Sequence, residues 1–446
     1  MQIDPWGSTQ YQDYGRLRDE FGISAFGPEE WQVFDDPHPL FRRGVVFGHR
    51  DFERVADAVR GRDPWAVMTG LMPSGRMHLG HKMVLDQVVA HQQAGADVHV
   101  AVADFEAVAA RGMSLDRARG LAIDEYVLNY LALGLDPGRA EVYFQTKRHR
   151  VQDLAHRFAT RVNLSQMQAL YGFSGDTSIA HVQAPLIQAA DILHVQQDEA
   201  GPRPVLVPVG VDQDPHIRLA RDIAQSWRRF NLVFDEGEQG HVLTVKGSED
   251  VPRWLDVAEA VLDDLGIGTR TGRARKDAYG RISLGRALGG REVRDLDLAL
   301  ARAETRRGED GVALLRPAST YHRFMTGLTG DKMSSSRPDT SIFLTDDPDE
   351  AKRKLMRSVT GGRATAEEQR RLGADPYVCP VYETYLFHVA RDDAHLQEVH
   401  DTCRSGERLC GGCKKEAVEH LVPFLREHQE KRAQAVEAVD EIVAHD

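Results

Sequence analysis

Short apolar runs alternate with helix-spaced segments along the first half of the chain, and this alternation restricts the fold more than any other feature. Trp65-Ala66-Val67-Met68 reads as a buried strand. A Gly/Pro/Ser loop from Gly70 to Gly75 ends it, and Leu79, Met83, Val84, Val88 and Val89 then recur at helical spacing. The unit repeats its logic downstream: Val98 to Ala103 is strand-like, Leu115 to Leu133 helical, Glu141 to Phe144 and Val205 to Val209 strand-like. Strands that alternate with helices need crossovers that cover both faces of the sheet. A doubly wound α/β domain with a parallel sheet is predicted.

The 446 residues exceed one ordinary core, and the texture of the chain divides them. Residues 1–63 form an N-terminal extension, in which Asp51 is placed to cap a helix carrying Phe52, Val55 and Val59. Residues 64–235 hold the first part of a nucleotide-binding α/β domain. Residues 236–312, rich in charge and glycine, read as an insertion with helices near 252–265 and 291–307. The domain resumes over 313–345, and 346–446 reads as a separate helical domain. With 41% hydrophobic and 28% charged residues the chain has a soluble composition. It has no run of about 18 apolar residues and no signal-peptide pattern, so no membrane partner is expected and a cytoplasmic location is. A net charge of -12 gives no global attraction for nucleic acid, although a local basic face would suffice for binding.

Two segments suit phosphate. Pro73-Ser74-Gly75-Arg76-Met77-His78-Leu79-Gly80-His81 lies just beyond the carboxyl end of a strand, where a doubly wound sheet binds ligands. Glycines let backbone approach a nucleotide, and the following helix presents unpaired N–H groups and a positive dipole end. His78 and His81, three apart at the helix start, share one face and can donate to the same phosphate. No third residue with metal-ligand spacing accompanies them. The second segment, Gly330-Asp331-Lys332-Met333-Ser334-Ser335-Ser336, joins one cation to three hydroxyls, which suits a pyrophosphate leaving group. Either segment alone reads as a polar turn. Together, about 250 residues apart around a strand–helix alternation, they resemble the HIGH and KMSKS segments of class I aminoacyl-tRNA synthetases.

Further residues resemble the tryptophanyl family, in particular its archaeal and eukaryotic branch, from about residue 40 to 440 except across the insertion. They are Phe41 to Asp51, Val209-Gly210-Val211-Asp212-Gln213-Asp214-Pro215-His216, Ser341 to Asp346 and Gly361-Gly362-Arg363. The resemblance implies a Rossmann-like catalytic domain with an anticodon-binding helical domain. It also implies activation of tryptophan by ATP with Mg²⁺, transfer to tRNA(Trp), and a homodimer. By position it implies that Glu106, Gln188 and Gln213 hold the amino acid's ammonium and carboxylate. Gly210, Val211 and Asp212 would receive adenine and ribose, and His78, His81 and Lys332 would stabilise the transferring phosphates. Pro73, Ser74, Gly75, Gly80, Met333, Ser334 and Ser335 would complete the ATP site. The chain departs from the eukaryotic pattern at Met68 and Ala101, where that branch reads the indole N–H with tyrosine and glutamine. Asp191 stands where bacterial tryptophanyl enzymes carry the indole-accepting aspartate, so indole recognition is assigned to Asp191, with Met68 as apolar packing. Tyrosyl enzymes also place an aspartate there. A tyrosyl enzyme, an RNA-binding paralogue without aminoacylation and a nucleotidyltransferase sharing the first segment are the alternatives.

All four cysteines lie late in the chain, as Cys379-x23-Cys403-x6-Cys410-x2-Cys413. Four thiolates suit tetrahedral zinc or a [4Fe–4S] cluster. The run resembles, within one residue, a cluster motif of some tryptophanyl enzymes, which favours [4Fe–4S] over Zn²⁺. Arg404, Arg408, Lys414 and Lys415 interleave with the cysteines and suit either an RNA contact or a solvated face.

Overall fold

The structure, a computed structural model, describes residues 14–197, 201–246, 250–268, 274–276, 279–307, 313–331, 333, 335 and 337–443. Among the described residues eleven strands run in chain order: β1 (Ser24–Ala25), β2 (Val46–Arg50), β3 (Ala66–Leu71), β4 (Asp97–Val102), β5 (Ala140–Phe144), β6 (Val205–Gly210), β7 (Phe230–Asp235), β8 (Gly240–Val245), β9 (Ala274–Lys276), β10 (Tyr279–Ser283) and β11 (Ala318–His322). Seven form the main sheet in the order β1-β2-β11-β6-β3-β4-β5. Five of its strands, β11-β6-β3-β4-β5, run parallel up to the β5 edge, as the alternation predicts. One face is covered by helices that include Leu79–Gln93 and the long Cys410–Gln434. The other is covered by His149–Phe158, Ile179–His194 and Asp214–Trp227. Apolar side chains on both faces explain why these strands read as near-continuous hydrophobic runs.

Strand order reverses between β3 and β6, the switch point at which doubly wound sheets open a crevice. These two strands pair only at Ala66 with Val205 and Val67 with Leu206, then part. In the N-terminal extension, β2 joins β11 and β1 joins β2, both antiparallel, so this segment extends the main sheet. Asp51 does not cap its helix. Its backbone is left-handed (φ 50°) and its carboxylate accepts from Arg221 at 2.9 Å instead.

The described residues between 230 and 303 build a second core around the antiparallel sheet β7-β8-β10-β9, with helices Val251–Asp264 and Gly290–Arg307 against it. The sequence texture announces the helices and conceals the sheet. Buried Arg228, bonded to Glu304 at 2.8 Å and Asp297 at 2.6 Å, ties this unit to the main body. Helix Cys410–Gln434 runs from the cysteines to the central domain. There the Gln429 amide donates to the carbonyls of Leu344 and Asp346. Among the described residues no helix is long and apolar enough to cross a membrane.

Candidate active site

The crevice between β3 and β6 holds a cavity of about 730 Å³. Its walls bring together Met68, His78, Gly80, His81, Glu106, Gln188, Asp191, Gly210, Asp212, Gln213 and Met333. Residues from the β3 end, the β6 end, helix Ile179–His194 and the loop after β11 therefore face one volume.

At the β3 end, His78 is the N-cap of helix Leu79–Gln93. Its Nδ1 accepts from the Gly80 N–H at 3.1 Å, and His81 Nδ1 accepts from the His78 N–H at 3.2 Å. Both inward nitrogens are thus acceptors, which places the proton of each neutral ring on Nε2, the donor position. The rings stack with centroids 3.9 Å apart, and burial holds His81 down to about 4, so it is uncharged at neutral pH. Two neutral N–H donors beside a helix N-terminus favour an anion without placing a fixed charge there.

The late segment packs against this turn. Ser335 Oγ donates to the Arg76 carbonyl at 3.0 Å, and Met333 is buried beside Gly80. A Cβ on Gly75 would lie 2.8 Å from Ser335 Cβ, so glycine is what permits the approach. Backbone bonds from Leu79 to Ile342 and from Leu344 to Met77 continue the contact. Arg76, 3.0 Å from the buried Asp346 carboxylate and over the Phe343 ring, locks it. Lys332 and Ser334 lie outside the described residues.

Asp191 is buried on helix Ile179–His194, at the cavity wall. Its Oδ1 accepts from the Tyr143 hydroxyl at 2.8 Å and its Oδ2 from the Gln145 amide at 2.5 Å. Burial pushes its carboxyl up to about 7 against the pull of these two donors. Met68 and Ala101 line the same wall and carry no acceptor. Gln188 donates to Gln213 at 3.5 Å. At the β6 end, a Cβ on Gly210 would meet the Phe324 ring at 2.6 Å and Asp212 Oδ1 at 2.7 Å. Val211 packs its side chain with Leu17, Ile23 and Tyr321, so a ligand would meet only its backbone. Pro73, Ser74, Gly75 and Ser335 shape the turn and do not line the cavity.

Sequence reasoning missed several residues of the site: Gln145, His216, His322, Phe324 and Met325 line the cavity, and Tyr143 bonds Asp191 behind its wall. Tyr143 and Gln145 stand at and just beyond the end of β5, with no motif around them. His216, buried and held neutral with a pKa of about 3, meets the Tyr171 hydroxyl at 3.1 Å. His322, Phe324 and Met325 follow from the end of β11. The rule that ligands sit at strand carboxyl ends could have found these last three had β11 been recognised.

The four cysteines line a second, small cavity with Thr360, Gly361, Gly362 and Arg408. No three of their sulfurs lie within 4.8 Å of one another; among the described residues only His395, Glu416 and His420 bring three possible ligand atoms that close. Mutual charge and burial raise the thiols of Cys403 to about 11 and Cys413 to about 12, with burial the larger cause. A Cβ on Gly362 would lie 2.6 Å from Cys410 Sγ. Two of the interleaved cations serve the fold: Arg408 pairs with Glu416, and Lys414 donates to the carbonyls of Met356 and Ser358.

Residues 60–246 and 295–426 match the model of class I tRNA synthetases for W and Y, and the unmatched stretch lies within the second core. The chain is 44% identical to the tryptophan--tRNA ligase of Thermoplasma acidophilum over 98% of both chains. It is 45% identical to that of Archaeoglobus fulgidus over 99% of this chain and 98% of the other. Among solved structures, the tryptophanyl-tRNA synthetase of Aeropyrum pernix superposes with a TM-score of 0.74 at 39% identity, over 99% of each chain.

Proposed function

The chain belongs to the class I tRNA synthetases of the tryptophan and tyrosine family, and from that premise we propose how its crevice works as a tryptophan--tRNA ligase. One observation carries the reading: two neutral Nε2–H donors and a buried carboxylate acceptor converge on one cavity at the switch point. The indole ring lies against Met68 with its N–H toward Asp191, since a donor-only nitrogen needs an acceptor. Glu106, Gln188 and Gln213 hold the ammonium and carboxylate. ATP enters as its Mg²⁺ complex, with adenine and ribose at Gly210–Asp212 and the triphosphate along the His78–His81 turn.

The tryptophan carboxylate attacks the α-phosphate in line, the bond to the β-phosphate breaks, and pyrophosphate leaves. No side chain acts as nucleophile. His78 and His81 donate to the oxygens that gain charge, and Lys332 neutralises the leaving pyrophosphate. The acyl group then passes to the 2′-OH of the terminal adenosine of tRNA(Trp), releasing AMP. Pyrophosphate exchange run with each of the twenty amino acids tests this. Exchange with tryptophan alone is expected. Exchange with tyrosine would redirect the assignment, and none at all would favour an RNA-binding paralogue.

The four cysteines are proposed to hold a [4Fe–4S] cluster. The order Cys379-x23-Cys403-x6-Cys410-x2-Cys413, one residue from the cluster motif of some tryptophanyl enzymes, favours the cluster over zinc, and all four cysteines line one small cavity. Bound there, it would fix the helical domain by cross-linking Cys379, Cys403 and helix Cys410–Gln434. Iron, sulfide and zinc analysis of anaerobically purified protein decides between the metals: zinc without sulfide overturns the cluster. Assembly as a homodimer is the accompanying proposal, tested by light scattering.

A further inference from the structure

We propose that Tyr143 and Gln145 are positioning residues that keep Asp191 an oriented, ionised acceptor, and so set the preference for a ring bearing an N–H group. The inference rests on the tryptophan reading above and adds the device that makes the carboxylate work.

Tyr143 and Gln145 stand two apart, so both side chains leave the same side of β5 and its continuation. Each serves a different oxygen of Asp191, which fixes the rotation of the carboxylate plane. A carboxylate has about four lone-pair sites. Two donors leave acceptor capacity directed at the cavity. Tyr143 is itself held: it is fully buried, and the Arg148 guanidinium lies 4.4 Å from its ring centroid. Arg148 is anchored to Glu141 at 2.6 Å.

The arrangement matters because burial alone would neutralise Asp191. A protonated carboxyl turns one oxygen into a donor, which cannot face an indole N–H. Hydrogen bonds that favour the charged form oppose this. Other groups act more weakly. Asp104 raises the carboxyl's proton affinity and Arg148 lowers it. His194, three residues on, is held neutral near 3, and its Nδ1 lies 2.8 Å from the Asp191 carbonyl. Glu106, His181, His216 and Arg111 line the same cavity, with His216 neutral.

The test compares tryptophan with β-(benzothiophen-3-yl)alanine, an isostere carrying sulfur in place of the ring N–H, in pyrophosphate exchange between pH 6 and 9. In the unaltered enzyme the ratio of kcat/KM for the two substrates should rise through a midpoint near the Asp191 value of about 7. Tyr143→Phe and Gln145→Met each move that midpoint upward. A shift of one unit lowers the tryptophan preference about threefold at pH 7.5 and restores it by pH 9. KM should carry the change, with kcat nearly constant. Variants that keep the parent midpoint and ratio would overturn the inference while leaving the function standing. A pH-independent ratio in the unaltered enzyme would overturn it without any variant. Absence of tryptophan exchange in the unaltered enzyme would instead refute the substrate reading.

Discussion

Replacing Gly75 with alanine should disable adenylate formation while sparing tryptophan binding. The new Cβ would stand 2.8 Å from Ser335 Cβ. Carbon atoms settle at about 3.5–4.0 Å, so the late loop must retreat by about 0.7–1.2 Å. Gly75 does not hold a left-handed backbone, so alanine brings no backbone strain and the effect is the contact itself. A misplacement of about 1 Å in a positioning group costs on the order of 100-fold in rate. Pyrophosphate exchange at saturating tryptophan should fall by roughly that factor, and calorimetric binding of tryptophan should not change. A second substitution sharpens the reasoning. Ser335→Gly removes the opposing Cβ along with the 3.0 Å bond to the Arg76 carbonyl, a loss of about 1 kcal/mol or roughly fivefold. The double variant should therefore return to the level of Ser335→Gly alone. Exchange by Gly75→Ala within about threefold of the parent, or a double variant no faster than Gly75→Ala, would refute the docking of this loop as a catalytic contact.

Lys332→Ala should slow adenylate formation far more than it weakens tryptophan binding; equal losses in both, measured by single-turnover kinetics and calorimetry, would remove the lysine from the pyrophosphate role. Gly210→Ala should raise KM for ATP at least tenfold, roughly a 1.4 kcal/mol loss, because its Cβ would meet Phe324 and Asp212. An unchanged KM for ATP would move adenine elsewhere. Acid stability should also be steep. Burial holds His81 near 4 and His91, His194, His216 and His322 near 3, against an ordinary value of 6.5. The unfolded chain therefore takes up protons from about pH 6.5 downward while the folded chain does not, so stability is full above 6.5 and falls with pH. Each such group contributes about 1.4 kcal/mol per pH unit within that window. Calorimetry should find Tm dropping sharply between pH 6 and 5, and a flat Tm would count against neutral burial.

Four of the five parallel strands were legible as short apolar runs between helix-spaced segments, β11 being the exception, and His78 and His81 because they follow the Gly-rich loop after β3. Asp191, Gln188 and Gln213 were reachable only through resemblance. Nothing in the spacing of Tyr143 or Gln145 links them to a carboxylate more than 40 residues away; sheet closure makes that link. Strands β7 to β10 were hidden for a different reason. Short apolar stretches such as Val242, Leu243 and Val245 of β8 sit in a charge-rich and glycine-rich sequence that reads as a loop. Asp51 shows how tertiary pairing overrides a local signal: a capping residue by type, it was recruited by Arg221, 170 residues away. Lys414 and Arg408 make the same point for charge, since both cations are spent inside the helical domain.

The short pairing of β3 with β6 has a mechanical consequence. The sheet resembles two leaves on a narrow spine, one carrying His78 and His81, the other carrying Gly210 and Gln213. Only two residue pairs, Ala66 with Val205 and Val67 with Leu206, bind the spine in register. Five pairs stitch β4 to β5 and another five stitch β11 to β6, so each leaf is stiffer than the joint between them. A ligand touching both leaves supplies the cross-links the spine lacks.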